Sequence, residues 1–286
     1  PKLFLAYKDE ILLVADNIAN IYAVNIMTGD LLWKSNGNYP YNSEIKIYDN
    51  QFYVIDYQNS LNCYNIINGK KCWKFLTQET FTLSDQKNSL IITNEGTIIF
   101  NNSIGDITAV DEKNGIFKWI LPTENSEIIN QAFDFKISKL TSDGTSIFFS
   151  TNKNKLYSID IKTGTINWIS KVSSYFKPII FKDLIISVSE KGYLYTIQKD
   201  KGNIIRINDI LKDYSKKKKN KIILTGSVIG QDKLYLSLNN DKVILVDLVS
   251  GKFLRTINIS TESTSSPIIH NQHMYIIGNN KITQYD

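Results

Sequence analysis

The sequence predicts an all-β fold, a β-propeller built from four-stranded antiparallel sheets, the blades. Three observations lead to this prediction. A glycine–tryptophan pair recurs along the chain, the recurrence period is about 44 residues, and each period contains four short apolar runs. Self-similarity at such a period is typical of repeat architectures, in which each unit packs against its neighbours.

Each of the four tryptophans stands four residues after a glycine, as in YAVNIMTGDLLW at 22–33. Two later copies keep the glycine and carry arginine in place of tryptophan. The pairs are Gly29 with Trp33, Gly69 with Trp73, Gly115 with Trp119, Gly164 with Trp168, Gly202 with Arg206 and Gly251 with Arg255. A polar residue precedes each glycine by four positions, namely Asn25, Asn65, Asp111, Asp160, Gln198 and Asp247. The sequence alone assigns no role to the two arginines.

Each pair is interpreted as the turn and the second strand of a β-hairpin. The Asp or Asn at the end of the first strand caps the turn through backbone N–H groups, and the glycine supplies a positive φ. The tryptophan then lies in the returning strand, where its ring can bury against a neighbouring blade.

Two further apolar runs precede each hairpin, so the repeating unit has four strands, A to D. In the first copy these runs are KLFLAY and ILLVAD. Four strands within a period of about 44 residues are typical of a β-propeller. A solenoid of helices is excluded, because no window shows apolar residues at helical spacing.

A seventh copy begins near the C-terminus with SSPIIHN, HMYIIG and NKITQYD as strands A, B and C. Strand D of this last blade is expected to be missing. Because residues 1–6 already serve as strand A of the first blade, the strand that closes the ring is expected upstream of Pro1. We therefore expect one domain over 1–286 with seven visible blades, and eight blades in the parent protein stays open.

Composition indicates a globular protein without a membrane span. The chain has 286 residues, 42% hydrophobic content and a net charge of +5, and it lacks any run of 18 apolar residues. The one dense basic cluster, Lys216–Lys219 with Lys212 and Lys221, falls in the connection between blades 5 and 6. A solvated loop is the preferred interpretation, and binding of phosphate or acidic lipid is the alternative.

Three features of the sequence bear on chemistry. Cys63 and Cys72 lie on strands C and D of one hairpin, so a bridge is conceivable, but two buried thiols are preferred. His270 and His273 form an H-x-x-H pair at a strand turn, and a metal site there would need further ligands. No nucleophile elbow, P-loop or H-E-x-x-H motif occurs, so the protein is not expected to be an enzyme.

The repeat resembles the PQQ-type propeller repeat, as YAVNIMTGDLLW and YSIDIKTGTINW show. One branch of that class, the quinoprotein dehydrogenases, implies pyrroloquinoline quinone and calcium in an axial funnel. Here every tryptophan occupies a repeat position and the cysteines are nine residues apart, so no cofactor is expected.

The other branch, BamB, implies a non-catalytic scaffold lipoprotein at the periplasmic face of the bacterial outer membrane. This resemblance implies binding of BamA periplasmic domains, an N-terminal lipid anchor upstream of Pro1, and a monomer within a complex, without nucleic acid. A scaffold of another envelope complex, or a propeller with a small ligand at its axis, is a further alternative.

Partner contacts are expected on the connections from strand D to the next strand A, because loops on a rigid scaffold carry function. The candidates are Ile128, Ile129, Phe133 and Phe135 after blade 3, Thr80 and Phe81 after blade 2, and Tyr175 and Phe176 after blade 4. Phe133 and Phe135 could instead begin a strand A and point into the blade.

Overall fold

The computed structural model describes residues 3–77, 87–123, 136–174, 176–259, 266–278 and 281–285. Its strands form seven sheets, six with four strands and the last with three. The sheets are the blades of a β-propeller, which confirms the predicted fold class, including a last blade that lacks strand D.

Within each blade, strands A to D are hydrogen-bonded in chain order. Blade 1 contains β1 (Leu3–Lys8), β2 (Ile11–Asp16), β3 (Asn20–Asn25) and β4 (Leu31–Asn36). Blade 2 contains β5 (Lys46–Tyr48), β6 (Gln51–Ile55), β7 (Leu61–Asn65) and β8 (Lys71–Phe75). Blade 3 contains β9 (Leu90–Ile92), β10 (Thr97–Asn101), β11 (Ile107–Asp111) and β12 (Phe117–Leu121).

The remaining blades follow the same order. Blade 4 contains β13 (Thr141–Ser142), β14 (Ser146–Thr151), β15 (Lys155–Asp160) and β16 (Ile166–Lys171). Blade 5 contains β17 (Ile179–Phe181), β18 (Leu184–Val188), β19 (Tyr193–Gln198) and β20 (Ile204–Asp209). Blade 6 contains β21 (Leu224–Gly230), β22 (Lys233–Leu238), β23 (Lys242–Asp247) and β24 (Phe253–Asn258), and blade 7 contains β25 (Ile268–His270), β26 (His273–Gly278) and β27 (Lys281–Tyr285).

The chain divides into two compact units, and the division passes through blade 4. The first unit consists of residues 1–147 and 159–166, and the second of residues 148–158 and 167–286. Blades 1 to 3 therefore belong to the first unit and blades 5 to 7 to the second.

In the first unit, the two faces of blade 2 contribute to two different cores. Phe52 and Val54 on β6 pack with Phe4 of blade 1. Tyr53 and Ile55, the alternate residues of the same strand, pack with apolar side chains of blade 3. Strand B is thus buried on both faces, which explains why it reads as a continuous apolar run rather than as an alternating one.

The second unit repeats this arrangement around blade 6. Ile244 and Val246 on β23 join the core that blade 5 shares, whereas Val243 and Leu245 pack with Met274 and other residues of blade 7. By contrast, strand D is largely exposed, and none of the residues of β24 is fully buried.

Six C–D turns share one conformation, as the repeat predicts. In blade 4, the N–H of Gly164 donates to the Asp160 carbonyl at 3.0 Å, and Gly164 has a φ of +72°. The Asp160 carboxylate accepts backbone N–H groups from Lys162 and Thr163 at 2.9 and 2.8 Å. The predicted roles of the glycine and of the capping residue are confirmed here.

A β-bulge separates the turn from the tryptophan in strand D. In blade 2, Lys71 pairs with Tyr64 and Trp73 pairs with Cys63, which leaves Cys72 as the extra residue. Cys63 is buried and Cys72 is exposed, and both are free thiols. The expectation of two buried thiols is therefore wrong for Cys72, because the bulge takes it out of the pairing that orients the strand.

The connection between blades 5 and 6 contains a short helix, α1 (Lys216–Lys219). Lys219 donates to the Asp209 carboxylate at 2.5 Å, and the other lysines of the helix are exposed. Among the described residues, no helix has the length and apolar character that crossing a membrane requires.

Candidate functional site

The tryptophans connect each blade to the next one through the indole N–H. The acceptor is the backbone carbonyl three residues before the glycine of the next blade. The bonds run from Trp33 to Ile66 at 3.0 Å, from Trp73 to Glu112 at 3.2 Å, from Trp119 to Ile161 at 3.0 Å and from Trp168 to Lys199 at 3.0 Å. The prediction that each ring buries against a neighbouring blade is confirmed.

Each indole also lies on the glycine of the next turn. A Cβ atom on Gly69 would lie 2.5 Å from Cε3 of Trp33, and one on Gly164 would lie 2.5 Å from Cδ2 of Trp119. The glycine is therefore required twice, for its positive φ and because a side chain would displace the ring. We call this contact between ring, carbonyl and glycine the latch.

Arginine replaces the indole in the latch that leaves blade 5. Nη1 of Arg206 donates to the Val249 carbonyl at 3.0 Å, and its Nη2 donates to Thr196 at 3.3 Å. A Cβ atom on Gly251 would lie 3.0 Å from two nitrogens of the guanidinium. Because a guanidinium is planar like an indole, it can lie against a glycine and donate to a carbonyl. Arg206 thus has a structural role that the sequence did not indicate.

The first and last copies of the repeat differ from this pattern. Gly29 has no atom within 4 Å of the place where its Cβ would lie, so within the described part of the chain no ring lies on it. Arg255, in the last strand D, is exposed.

A second repeated turn, between strands B and C, was missed in the sequence. In six blades a residue one or two positions before strand C has a positive φ; these residues are Ala19, Asn59, Gly105, Asn154, Gly192 and Asp241. In blades 1, 4, 5 and 6 the carbonyl of this residue accepts from the backbone N–H of the residue after strand D, as from Gly37 to Ala19 at 2.6 Å and from Ile210 to Gly192 at 2.9 Å. In blades 2 and 3 it accepts instead from the hydroxyl of Thr77 or Thr123, at 2.9 Å in both cases. The frequent Asn, Asp or Gly before strand C was an available signal, although Ala19 lacks it.

The B–C turns and the connections between blades lie at the same end of the blades. In the first unit, these turns and connections are hydrogen-bonded to each other. The Asn88 N–H donates to the Asn42 carbonyl at 2.8 Å, which joins the connections after blades 2 and 1. Asn59 accepts from the backbone N–H of Ser103 at 2.9 Å and from its hydroxyl at 2.6 Å, which joins two B–C turns. These bonds hold the turns and connections as a platform with fixed backbone positions.

Three bulky apolar side chains are exposed on this platform, and we call them the apolar rim: Ile18, Tyr39 and Leu76. Ile18 lies in the B–C turn of blade 1, and Tyr39 and Leu76 lie in the connections after blades 1 and 2. They are 71%, 39% and 64% exposed, respectively. The ammonium of Lys74 lies 5.8 Å from the centre of the Tyr39 ring. Aromatic and bulky aliphatic side chains on a fixed backbone can serve as anchors for a protein partner.

Most residues that the sequence predicts for partner binding lie outside the described residues. These are Thr80, Phe81, Ile128, Ile129, Phe133, Phe135 and Tyr175. Phe176 is described and half-buried, and it packs against the core between blades 5 and 6. Leu76 shares its connection with Thr80 and Phe81, so the apolar rim includes part of one predicted region.

An ion-pair cluster joins two connections of the first unit. The Glu44 carboxylate contacts the ammonium of Lys139 and lies 3.4 Å from that of Lys46. Burial favours a higher pKa for Glu44, but the hydrogen bond and charge of Lys139, together with Lys46, hold that pKa below its usual value. Because these side chains are partly exposed, the cluster orients the connections more than it stabilises the fold.

The described residues show no cluster suited to metal binding. His270 and His273 pair across the end of the β25–β26 hairpin. No group of three or more His, Cys, Asp or Glu side chains in the described ranges could hold a metal ion. Each of the four indoles is engaged in a latch through its N–H group and one contact of its ring.

These features define a class, the β-propellers whose blades are latched by a planar side chain on the glycine of the next turn. The chain belongs to the family described as outer membrane protein assembly factor BamB, and the family model matches residues 2–208. The matched range ends after Arg206, in the blade where arginine first replaces tryptophan.

Comparison with known proteins gives the same family. Outer membrane protein assembly factor BamB of Shewanella oneidensis is 22% identical over 262 residues, covering 90% of this chain and 63% of that protein. The chain thus spans less than two thirds of the length of this relative.

Solved structures are similar to this chain in fold. The crystal structure of BamB from Moraxella catarrhalis has a TM-score of 0.79 at 17% identity and covers 99% of this chain and 83% of that one. The β-propeller domain of Cps50 (Swd1) from Myceliophteria thermophila has a TM-score of 0.67 at 11% identity, covering 99% and 96%. At these identities, the structural similarities concern the fold alone.

Proposed function

We propose that this protein is a non-catalytic scaffold that assists the assembly of outer-membrane β-barrel proteins by binding the periplasmic domains of BamA. It acts at the periplasmic face of the bacterial outer membrane. Membership of the BamB family carries this proposal, because the family model matches the chain from the first blade to the fifth.

The geometry of the first unit supports a binding role. The apolar rim lies on turns and connections whose backbone is hydrogen-bonded, as between Asn88 and Asn42. A partner that docks there loses little conformational entropy on the scaffold side, because the platform is already ordered. We assign the contacts to the apolar rim and to the connections after blades 2, 3 and 4. Their proposed contact residues are Thr80, Phe81, Ile128, Ile129, Phe133, Phe135, Tyr175 and Phe176.

The engagement of the tryptophans argues against a quinoprotein dehydrogenase. An indole that donates to a carbonyl and lies on a glycine, as Trp119 does, cannot also form the floor of a cofactor funnel without breaking the latch. Scaffold binding, in contrast, requires the latches to stay intact.

Capture of purified BamA periplasmic domains by the immobilised protein tests the proposal. One variant carries Tyr39→Ala and Leu76→Ala, and a second carries Phe133→Ala and Phe135→Ala. A matched control carries Phe117→Ala and Ile120→Ala, which removes exposed apolar side chains from strand D of blade 3. We expect at least one site variant to weaken binding by about tenfold or more, whereas the control changes it by less than about twofold.

Failure of the unchanged protein to bind the BamA domains would reject the partner. Binding that survives both site variants but weakens in the control would place the interface on strand D. Melting temperatures of all variants, measured in parallel, separate lost contacts from lost folding.

A further inference from the structure

The connection between blades 5 and 6 borders an open cavity that the proposed scaffold function does not use. Its volume is about 490 Å³, and it lies between the segment 210–218 and strand β24. The apolar side chains of its wall are Ile210, Tyr214 and Phe253. The polar side chains are Asp213, Ser215, Lys218 and Thr256. A recess lined by two aromatic side chains together with several polar ones suits an apolar side chain on a polar backbone.

The free edge of β24 adjoins this cavity. Among the described strands, β24 pairs only with β23, so its other edge presents backbone N–H and C=O groups for a further strand. Phe253 and Thr256 pair with Val246 and Ile244, which face the core shared with blade 5. The cavity therefore lies on one face of a strand that has an open edge.

Positive charge lies beside the cavity, because Lys218 lines it and Lys216 and Lys217 belong to the same short helix. Lys216, Lys217 and Lys218 are exposed on α1, and the only acidic side chain in the cavity wall is Asp213. The charge of Lys219 is matched by Asp209 at 2.5 Å. No other part of the sequence has four consecutive lysines, so this strand edge is distinguished by its charge from the other strands D.

We propose that β24 and the cavity bind an extended acidic segment of a partner polypeptide. The segment pairs with β24 as an added strand, a recurring mode of peptide recognition. Since side chains alternate along a strand, every second one points to the face that carries the cavity. One apolar side chain enters between Tyr214 and Phe253, and the carboxylates lie beside Lys216–Lys218.

A lipid surface fits these observations less well than a peptide. A bilayer would satisfy the lysines but would leave the recessed cavity and the open backbone edge without partners. An added strand satisfies all three features. The proposal does not depend on BamA binding, because the apolar rim belongs to the first unit and this cavity to the second.

The test uses a short fluorescein-labelled peptide with a glutamate two residues before and two residues after a central phenylalanine and serine at the positions between them, so that phenylalanine and both carboxylates share one face of the added strand. Its binding is followed by fluorescence anisotropy. We expect the triple variant Lys216→Glu, Lys217→Glu and Lys218→Glu to weaken binding by about tenfold or more. Phe253→Ala, with the lysines intact, is expected to weaken it by about fivefold or more. The charge-matched control Lys70→Glu, Lys113→Glu and Lys201→Glu, at exposed C–D turns, is expected to change it by less than about twofold.

Two further measurements make the proposal falsifiable. A peptide of the same sequence, N-methylated on every residue, keeps its charge but has no backbone N–H to donate to β24, and equal binding of this peptide would overturn the added strand. Vesicles containing phosphatidylglycerol form the second measurement. If they bind the protein through these lysines while the acidic peptide does not bind, the site serves a lipid surface and the proposal is wrong.

Discussion

Glycine and tryptophan form one structural element although they belong to different blades. The Trp119 indole donates to the Ile161 carbonyl and lies on Gly164, so the ring fixes the turn and the turn fixes the ring. A net hydrogen bond of this kind contributes about 1 kcal/mol, and burial of the ring contributes more. Replacing either residue therefore removes or displaces the contact that positions the other.

Replacing Gly164 with alanine is expected to destabilise the protein more than replacing Gly29. Both glycines have a positive φ, so alanine costs about 1 kcal/mol at either position. At Gly164 the new Cβ would also lie 2.5 Å from the Trp119 ring, whereas nothing lies within 4 Å at Gly29. We expect an additional loss of about 1–3 kcal/mol for Gly164→Ala. Denaturant unfolding of both variants measures the difference, and equal losses would contradict the role of the ring.

The Glu112 carboxyl gives the fold a dependence on pH. Burial, followed by the charge of Asp111, raises the pKa of Glu112 above its ordinary value of 4.5. The folded state therefore holds this proton more tightly than the unfolded state does. The free energy of unfolding therefore begins to fall as the pH rises through the pKa that Glu112 has in the unfolded state. This loss of stability is complete above the pKa that Glu112 has in the folded state.

Glu112→Gln removes this ionisation and keeps the size of the side chain. We expect the variant to melt at a higher temperature than the unchanged protein near neutral pH. This advantage should shrink as the pH falls through the folded pKa and vanish below about 4.5, where Glu112 becomes neutral in both states. Glu95→Gln is the control, since Glu95 is exposed and pairs with Lys162 at the surface. An advantage of Glu112→Gln that does not change with pH would contradict the explanation.

The sequence predicted the glycine and the tryptophan of the latch, but it did not predict which glycine each ring contacts. The spacing between glycine and tryptophan indicated a hairpin and a buried ring, because both follow from local turn and strand chemistry. That the ring of Trp33 lies on Gly69 depends on the distance between two blades, which no local pattern contains. For the same reason, no local pattern shows that Arg206 takes the place of tryptophan in a latch. This role follows from the position of its guanidinium against Gly251.

At the scale of the strand, position within the blade decides burial more than residue type does. Strands B and C lie between two cores and are largely buried, as β10 is over its whole length, whereas strand D exposes apolar side chains such as Phe117. The sequence predicted where these strands lie because their β-branched runs are bounded by turn residues. It did not predict the B–C turn, because residues as different as Ala19 and Asp241 adopt the same positive φ there.

Strand β1 offers a direct test of this dependence on position. Phe4 is 4% exposed and packs in the core with blade 2, whereas its neighbour Leu5 is 62% exposed on the other face. We expect Phe4→Ala to cost about 3–5 kcal/mol. For Leu5→Ala we expect a loss below about 1 kcal/mol, measured by the same denaturant unfolding. A comparable loss from both variants would show that the exposed face of β1 is covered in solution.

At the scale of the whole molecule, the fold is a series of similar blades, and a latch with a tryptophan or arginine on a glycine joins each of the first five blades to the next one. In such an architecture, stability is approximately the sum of blade terms and nearest-neighbour interface terms. Cores on both faces bury blade 2 in the first unit and blade 6 in the second. That residues 1–286 behave as one domain stays a prediction.

Blade 7 differs from blade 6 in ways that should appear in its dynamics. It has three strands, and Ile277 and Ile282 are 44% and 72% exposed. The last strand, β27, has no fully buried residue among its five, whereas four of the six residues of β23 are buried. Amides in a strand with an open edge and few buried neighbours exchange through local opening of low free energy.

Hydrogen–deuterium exchange followed by mass spectrometry is therefore expected to distinguish these two strands. Peptides from β27 should exchange at least about tenfold faster than peptides from β23, because opening β27 exposes little apolar surface. Strand β19 of blade 5 is the internal control, since Ile197 and Leu194 are fully buried and should be protected like β23. Equal protection of β27 and β23 would mean that the exposed face of blade 7 is covered in solution, and the nearest-neighbour account of stability would then need a further interface on blade 7.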